Sequence, residues 1–156
     1  RPGWPLVRAC EEGTVDLLIH ECFPPAQMIA ASMDMPIERA SAILNQAHTS
    51  PRGAGKVFDL VRPRMAGLWH TIVTPAGTPL IFEDLRKVYD GPVVQTQDLT
   101  VFNLTAEAVV ARQAEVNPQP QPVPGTLRSE PKPQLPADPD WWADALIPLD
   151  DVLALP

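Results

Sequence analysis

Apolar and polar positions follow one another along the chain in blocks that predict strands separated by helices. Residues 15–19 and 65–69 are short and almost continuously apolar, the pattern of strands buried on both faces. Residues 36–47 carry apolar side chains at helical spacing. Further helices are predicted at residues 4–12, 26–33, 51–62 and 80–89, and further strands at 93–94, 99–104 and 108–111. This order predicts a layered α/β unit with a site at the carboxyl ends of its strands.

The three histidines of the chain all lie where an apolar segment ends, next to a hydroxyl or a carboxylate. His20 is followed by Glu21, His48 by Thr49 and Ser50, and His70 by Thr71. Because the carboxyl ends of parallel strands meet at one edge of a sheet, we expect these segments to line a single site.

Composition divides the chain near residue 116. Ten of the 20 prolines fall in the last 40 residues, so residues 1–116 are predicted to form the packed domain and 117–156 a proline-rich tail. We expect the tail to dock through Trp141 and Trp142, since an adjacent indole pair is costly to leave in water; a disordered tail is the alternative. The net charge of −7 argues against a nucleic-acid partner.

The sequence shows neither a membrane or targeting segment nor a disulfide framework. No apolar run approaches the length of a membrane span, and no signal peptide is visible, so no membrane partner is expected and the compartment stays unassigned. The first residue is Arg rather than Met, which suggests a cut or processed chain. Cys10 and Cys22 are interpreted as two buried thiols rather than a disulfide.

The histidine segments offer a metal ligand and an acid–base pair. A histidine fixed at the end of a rigid strand, such as His70, is a good zinc ligand, although taken alone it fits a hydrogen-bonded core histidine better than a ligand. Glu21 could orient His48 by a hydrogen bond, and His48 could then protonate a leaving oxygen as a general acid. His20 should point away from Glu21 and is interpreted as structural. Arg52 and Thr71 are the candidate substrate contacts, with Arg52 suited to an anionic group.

These segments resemble the carboxyl-terminal half of metallo-β-lactamase-fold hydrolases. The resemblance is carried by residues 16–21 (DLLIHE), 48–50 (HTS) and 68–71 (LWHT), and it is closest to the branch with ribonuclease Z, arylsulfatase-like enzymes and the metallo-hydrolase of guanitoxin biosynthesis. It implies half of an αββα sandwich with a dinuclear zinc site. His70 would be the last metal ligand, and Glu21 would orient His48. Iron or manganese could replace zinc, and iron would also permit redox chemistry.

The chain also departs from that family. The H-x-H-x-D-H metal motif and the bridging aspartate are absent from the 156 residues, and Cys22-Phe23 replaces the Ala-Thr of the ribonuclease Z motif. We therefore expect a companion polypeptide or an upstream segment to supply the missing ligands. The paired halves, expected to form a homo-oligomer, would hydrolyse a small ester, sulfate ester or phosphate ester, whereas this chain alone would be inactive. The alternative is a non-catalytic binding or assembly subunit with structural histidines.

Overall fold

The computed structural model describes residues 2–115 and 139–148, which form a mixed α/β structure. The helices are α1 (Trp4–Ala9), α2 (Ala26–Ser32), α3 (Ile37–Ala47), α4 (Pro51–Val61), α5 (Gly77–Leu85) and α6 (Trp142–Ala145). The strands are β1 (Leu17–Glu21), β2 (Met65–Trp69), β3 (Val93–Gln95), β4 (Thr100–Leu104) and β5 (Val109–Gln113). The α/β class predicted from the sequence is thus confirmed.

A parallel sheet of order β1-β2-β3 is the centre of the fold. β1 and β2 align in register from the pair Leu17–Met65 to the pair Glu21–Trp69, so that both strands end at the same edge. Their connection contains three helices, since parallel neighbours need a long crossover. Strand β1 begins later than predicted and includes Glu21, which places this carboxylate on the last rung of the ladder.

The main core lies between this sheet and the helices α1, α4 and α5. Side chains that alternate along β1 and β2 enter it and meet the apolar face of α4. Its buried members include Leu18, Ala66, Leu68, Val57, Phe58, Ile81, Leu85 and Tyr89. A smaller cluster of Ile29, Ala40 and Leu44 joins α2 to α3. The helices therefore cover one face of the sheet.

The other face of the sheet is only partly covered. A Cβ added at Gly67 would lie 3.2 Å from Cγ1 of Ile19 and 3.5 Å from Cζ of Phe102, so the β4–β5 hairpin reaches the middle of this face. Arg64 binds the hairpin turn by donating to the carbonyl oxygens of Thr105 and Ala106. Ile19 and Trp69 remain 49% and 61% exposed. Apolar side chains thus reach solvent beside the strand ends.

The described part of the carboxyl-terminal region contacts the amino-terminal residues. Leu146 forms a β-bridge with Gly3, and Ile147 is buried in the main core. Trp141 and Trp142 pack against each other edge to face but stay 60% and 39% exposed. Ile147 thus contacts the main core, and docking of the tail through the indole pair stays a prediction. The rest of the predicted tail lies outside the described residues.

Two further sequence expectations meet the structure here. Cys10 and Cys22 are both free thiols, but Cys22 is buried and Cys10 is half-exposed. Burial, together with the nearby carboxylates of Glu21 and Asp84, raises the pKa of the Cys22 thiol to about 12. Within residues 2–115 and 139–148, no helix has the length and apolar character needed to cross a membrane.

Candidate metal and acid–base site

Glu21 and His70 are brought together by the parallel pairing of β1 and β2. Glu21 is the last residue of β1 and pairs with Trp69, the last residue of β2. His70 follows directly and has a left-handed backbone, with φ of 57°. This conformation is uncommon for a residue with a Cβ, and it turns the chain where the strand ends.

His48 comes from the connection between α3 and α4. It is the C-cap of α3, with extended backbone and its N–H donating to the carbonyl oxygen of Leu44. Ser50 then caps α4 by accepting from the N–H of Gly53. The N–H of Phe23 donates to the carbonyl oxygen of Thr49 at 2.8 Å, which fastens this connection to the chain just past β1. His48 is thereby held beside Glu21.

The carboxylate of Glu21 accepts hydrogen bonds from both imidazoles. Its Oε1 accepts from Nδ1 of His48 at 2.7 Å and from Nδ1 of His70 at 3.0 Å, while its Oε2 accepts from the N–H of Thr49 at 3.2 Å. An ionised carboxylate can only accept, so each Nδ1 carries a proton. In the neutral tautomer, each histidine therefore keeps a free lone pair on Nε2.

Charge balance favours the ionised form of Glu21. Burial alone raises the pKa of this carboxyl, but the hydrogen bonds and charges of His48 and His70 more than offset it, and the pKa lies below its ordinary value. The ionised glutamate is thus an acceptor that holds two rings at once. Carboxylates orient the ligating histidines of metal sites in the same way.

Phe23 packs against both imidazoles and was not identified from the sequence as a site residue. Its ring stacks on His48 with centroids 4.0 Å apart and planes 9° apart, and it meets His70 edge-on at 5.2 Å. The His48 and His70 rings lie 5.4 Å apart. Phe23 therefore restricts the orientation of the His48 ring.

His20 points away from this group, as the sequence predicted. Its Nδ1 donates to the carbonyl oxygen of Glu21 at 2.8 Å, and its ring meets Phe58 edge-on. Burial lowers the pKa of His20 because the charged imidazolium loses hydration. Its contacts are those of a structural histidine.

The two candidate substrate contacts are engaged by other side chains. Nε of Arg52 donates to Oδ1 of Asp84 at 2.7 Å, which joins α4 to α5, and the Arg52 side chain is largely buried. Oγ1 of Thr71 accepts from Nε2 of Gln95 at 2.8 Å. The guanidinium is thus committed to an internal ion pair, whereas the hydroxyl proton of Thr71 can still be donated.

Glu21, His48 and His70 have the composition of a metal centre. One potential ligand atom from each lies within 4.8 Å of the other two, and zinc takes imidazole nitrogen and carboxylate oxygen in catalytic sites. These residue types therefore fit a zinc ion. A catalytic zinc takes about three protein ligands and a dinuclear centre takes more, so this group accounts for part of such a site.

A separate cleft of about 560 Å³ lies among the helices. Its walls come from α2, α3, α4 and α5 and include Leu44, Ser50, Arg52, Asp84 and Lys87. None of the three clustered residues lines it. The three clustered residues thus lie at the edge of the sheet, outside this cleft.

Comparison with known proteins does not assign this site to a family. Protein-family models give no match to the chain, and neither do curated protein sequences. The resemblance to metallo-β-lactamase-fold hydrolases therefore stays a prediction that depends on the three sequence motifs.

Proposed function

We propose that this chain contributes half of the active site of a metal-dependent hydrolase with the metallo-β-lactamase fold. The substrate would be a small ester, sulfate ester or phosphate ester. The observation that carries the proposal is the Glu21 carboxylate, which receives the Nδ1 protons of both His48 and His70. These are the three residues that the motifs single out, and they come from segments up to 49 positions apart.

His70 is the proposed metal ligand, and Glu21 fixes its orientation. The Nδ1–H bond to Glu21 leaves Nε2 as the donor atom and raises its basicity. When bound, zinc would supply Lewis acidity and an activated water. Because the carboxylate is held by Thr49 as well, the His70 ring has a fixed partner before any ion arrives.

His48 is the proposed general acid. A doubly protonated His48 ring carries a proton on Nε2 that it can give to the leaving oxygen, while Glu21 stabilises the imidazolium through Nδ1. Phe23 stacked on the ring keeps that proton in one direction. A carboxylate that orients a histidine has the same effect in the serine-hydrolase triad.

The proposed companion segment would carry the H-x-H-x-D-H motif and the bridging aspartate, either on another polypeptide or further upstream. Two observations support such a partner. The described donor set is too small for a dinuclear centre, and Ile19 and Trp69 stay exposed on the sheet face that the β4–β5 hairpin only partly covers. In an αββα sandwich that face would pack against a second sheet.

The proposal is tested by zinc analysis and hydrolysis assays of the chain paired with its companion segment. We expect the paired protein to bind zinc and to hydrolyse p-nitrophenyl esters, sulfate esters or phosphate esters, and His70→Ala to abolish hydrolysis. His20→Asn is the matched control, because asparagine keeps a donor near the position of Nδ1 and should leave activity intact. Tight stoichiometric zinc in the isolated 156-residue chain would defeat the half-site idea.

A binding or assembly subunit is the second candidate, favoured by the exposed indoles of Trp141 and Trp142. Exposed aromatic pairs are typical of interaction surfaces. In this case His70→Ala would leave partner binding unchanged, and replacement of both tryptophans would abolish it. The two series of variants therefore separate a catalytic subunit from a non-catalytic one.

A further inference from the structure

The side chain of Gln95 binds the segment that carries His70. Gln95 ends β3, where it pairs with Leu68 of β2, two residues before His70. Its Nε2 donates to Oγ1 of Thr71 at 2.8 Å and to the carbonyl oxygen of Ile72 at 3.4 Å. The carbonyl of Ile72 can only accept, which fixes the amide with its NH2 group toward this segment.

The segment held by Gln95 has little else to fix its conformation. Residues 70–73 belong to no helix or strand, and Ile72 and Val73 are exposed. His70 itself is half-exposed and has a left-handed backbone, which residues with a Cβ adopt only when their surroundings require it. The hydrogen bonds from Gln95 to Thr71 and Ile72, the two residues after His70, can supply the constraint that this backbone conformation needs.

We infer that Gln95 is a positioning residue of the site, because its amide holds Thr71 and Ile72 so that His70 keeps its left-handed turn and directs its ring to Glu21. The inference rests on the proposed function only in taking His70 to be a metal ligand. Gln95 does not touch the substrate or the ion in this scheme. It acts through the backbone of the next two residues.

The orientation of the amide also leaves Oε1 of Gln95 buried, without a hydrogen-bond partner among the described residues. Such an acceptor is costly, and the two contacts of the Nε2 group have to offset that cost. The same contact also orients the hydroxyl of Thr71. Because this hydroxyl accepts from Gln95, it can donate its own proton to an oxygen atom of a phosphate, sulfate or carboxyl ester.

The experiment follows the backbone of His70 by nuclear magnetic resonance in the labelled chain. A positive φ brings the amide proton close to Hα of the same residue and gives a strong nuclear Overhauser effect between them. We expect this effect in the wild type, its loss in Gln95→Met, and its retention in Gln46→Met. Gln46 is an exposed residue of α3, so it controls for the substitution itself.

Zinc titration of the paired protein gives a second readout. Loss of groups that orient a ligand typically weakens metal binding by about 10- to 100-fold, and we expect a reduction of this size in Gln95→Met and none in Gln46→Met. If the paired wild-type protein binds no zinc, the proposed function fails, while the His70 backbone signal still decides whether Gln95 positions this residue.

An unchanged His70 signal in Gln95→Met would overturn the inference, whatever the zinc affinity. If Gln95→Met does not fold, Thr71→Val removes the accepting oxygen from the opposite end of the bond while it keeps the side-chain shape. The same loss of the left-handed signal is then expected. A Thr71→Val variant that keeps the wild-type signal would equally overturn it.

Discussion

Sharing of one carboxylate oxygen limits what the two imidazoles of the site can do. Oε1 of Glu21 receives the Nδ1 proton of His48 and that of His70, so neither ring can offer Nδ1 to a metal ion without losing this bond. Each ring is left with Nε2 for further chemistry. Oε1 of Glu21 therefore orients the two imidazoles, which is the role that the proposed function gives to this residue.

Tyr89 provides a residue-scale prediction on pH dependence. It is the single tyrosine of the chain, its ring is buried against Phe58, and its hydroxyl lies 3.4 Å from the carbonyl oxygen of Pro92. Burial raises its pKa above the ordinary value of 10.0, although the guanidinium groups of Arg62 and Arg86 oppose this shift. The unfolded chain therefore loses the tyrosine proton at lower pH than the folded chain does.

The folded state should consequently lose stability as pH rises above 10. Between the pKa of Tyr89 in the unfolded chain and its higher pKa in the folded chain, the folded state binds more protons than the unfolded state. The free energy of unfolding therefore falls as pH rises through this interval, and it stops falling above the pKa of the folded chain. Urea denaturation at several pH values measures this slope, and the ultraviolet absorbance of tyrosinate reports the folded pKa. Tyr89→Phe keeps the ring and should flatten the slope. An equal slope in both proteins would contradict the prediction.

Residues of the site differ in how far the sequence reveals them. Glu21 and His48 were paired from the sequence, because each follows an apolar segment whose end can be located. Phe23 and Gln95 were not identified, since their contacts depend on how α3, β2 and β3 meet in space. Arg52 was singled out as a substrate contact from its charge, and that role stays a prediction. Its partner Asp84 is revealed only by the packing of α4 on α5.

At the scale of elements, Gly55 sets how closely α4 and α5 can approach. A Cβ at this position would lie 2.5 Å from Cγ2 of Val88 and 3.1 Å from the carbonyl oxygen of Leu85. The second contact is with backbone, which cannot rotate away. We predict that Gly55→Ala destabilises the fold by about 1–3 kcal/mol through overpacking, although alanine is the better helix former.

Gly13→Ala is the matched control for this substitution. An added Cβ there would meet nothing within 4 Å, so the change should be neutral or slightly stabilising. Urea denaturation of both variants measures the difference in the free energy of unfolding. If the two variants proved equally stable, α4 and α5 would not be in the close contact described here.

Element boundaries show which local signals the sequence carries. The hydrophobic pattern located β2 at its observed bounds of Met65–Trp69, because a proline and a charged residue precede it and a polar segment follows. Helix α5 was expected to begin after Pro79, but it begins at Gly77, where Thr74 accepts from the N–H. Proline is tolerated in the first turn of a helix, so Pro79 was a poor boundary marker.

At the scale of the whole molecule, one face of the sheet is covered by helices, and the other, called the open face, is covered only in part. Helices and the main core lie on one side, while the other carries the β4–β5 hairpin and the exposed side chains of Ile19 and Trp69. Burial of both faces is usual for parallel sheets. The open face therefore has the character expected if a companion sheet packs there, as the proposed half-sandwich requires.

Ile19→Lys tests this assembly directly. The aliphatic part of lysine can keep the contact that Ile19 makes beside Gly67, but its ammonium group resists burial under a second sheet. We predict that the variant weakens association with the companion segment by at least about tenfold, which corresponds to roughly 1.4 kcal/mol. Titration calorimetry with the separately expressed companion segment measures this affinity.

Leu60→Lys is the control, because Leu60 is comparably exposed but lies on α4, on the helical side of the sheet. It should leave the affinity for the companion unchanged. Urea denaturation of each variant alone then separates a loss of association from a loss of folding. Equal affinities for the Ile19 and Leu60 variants would mean that the open face does not contact the companion, and the missing ligands would have to reach His70 from the side of the strand ends.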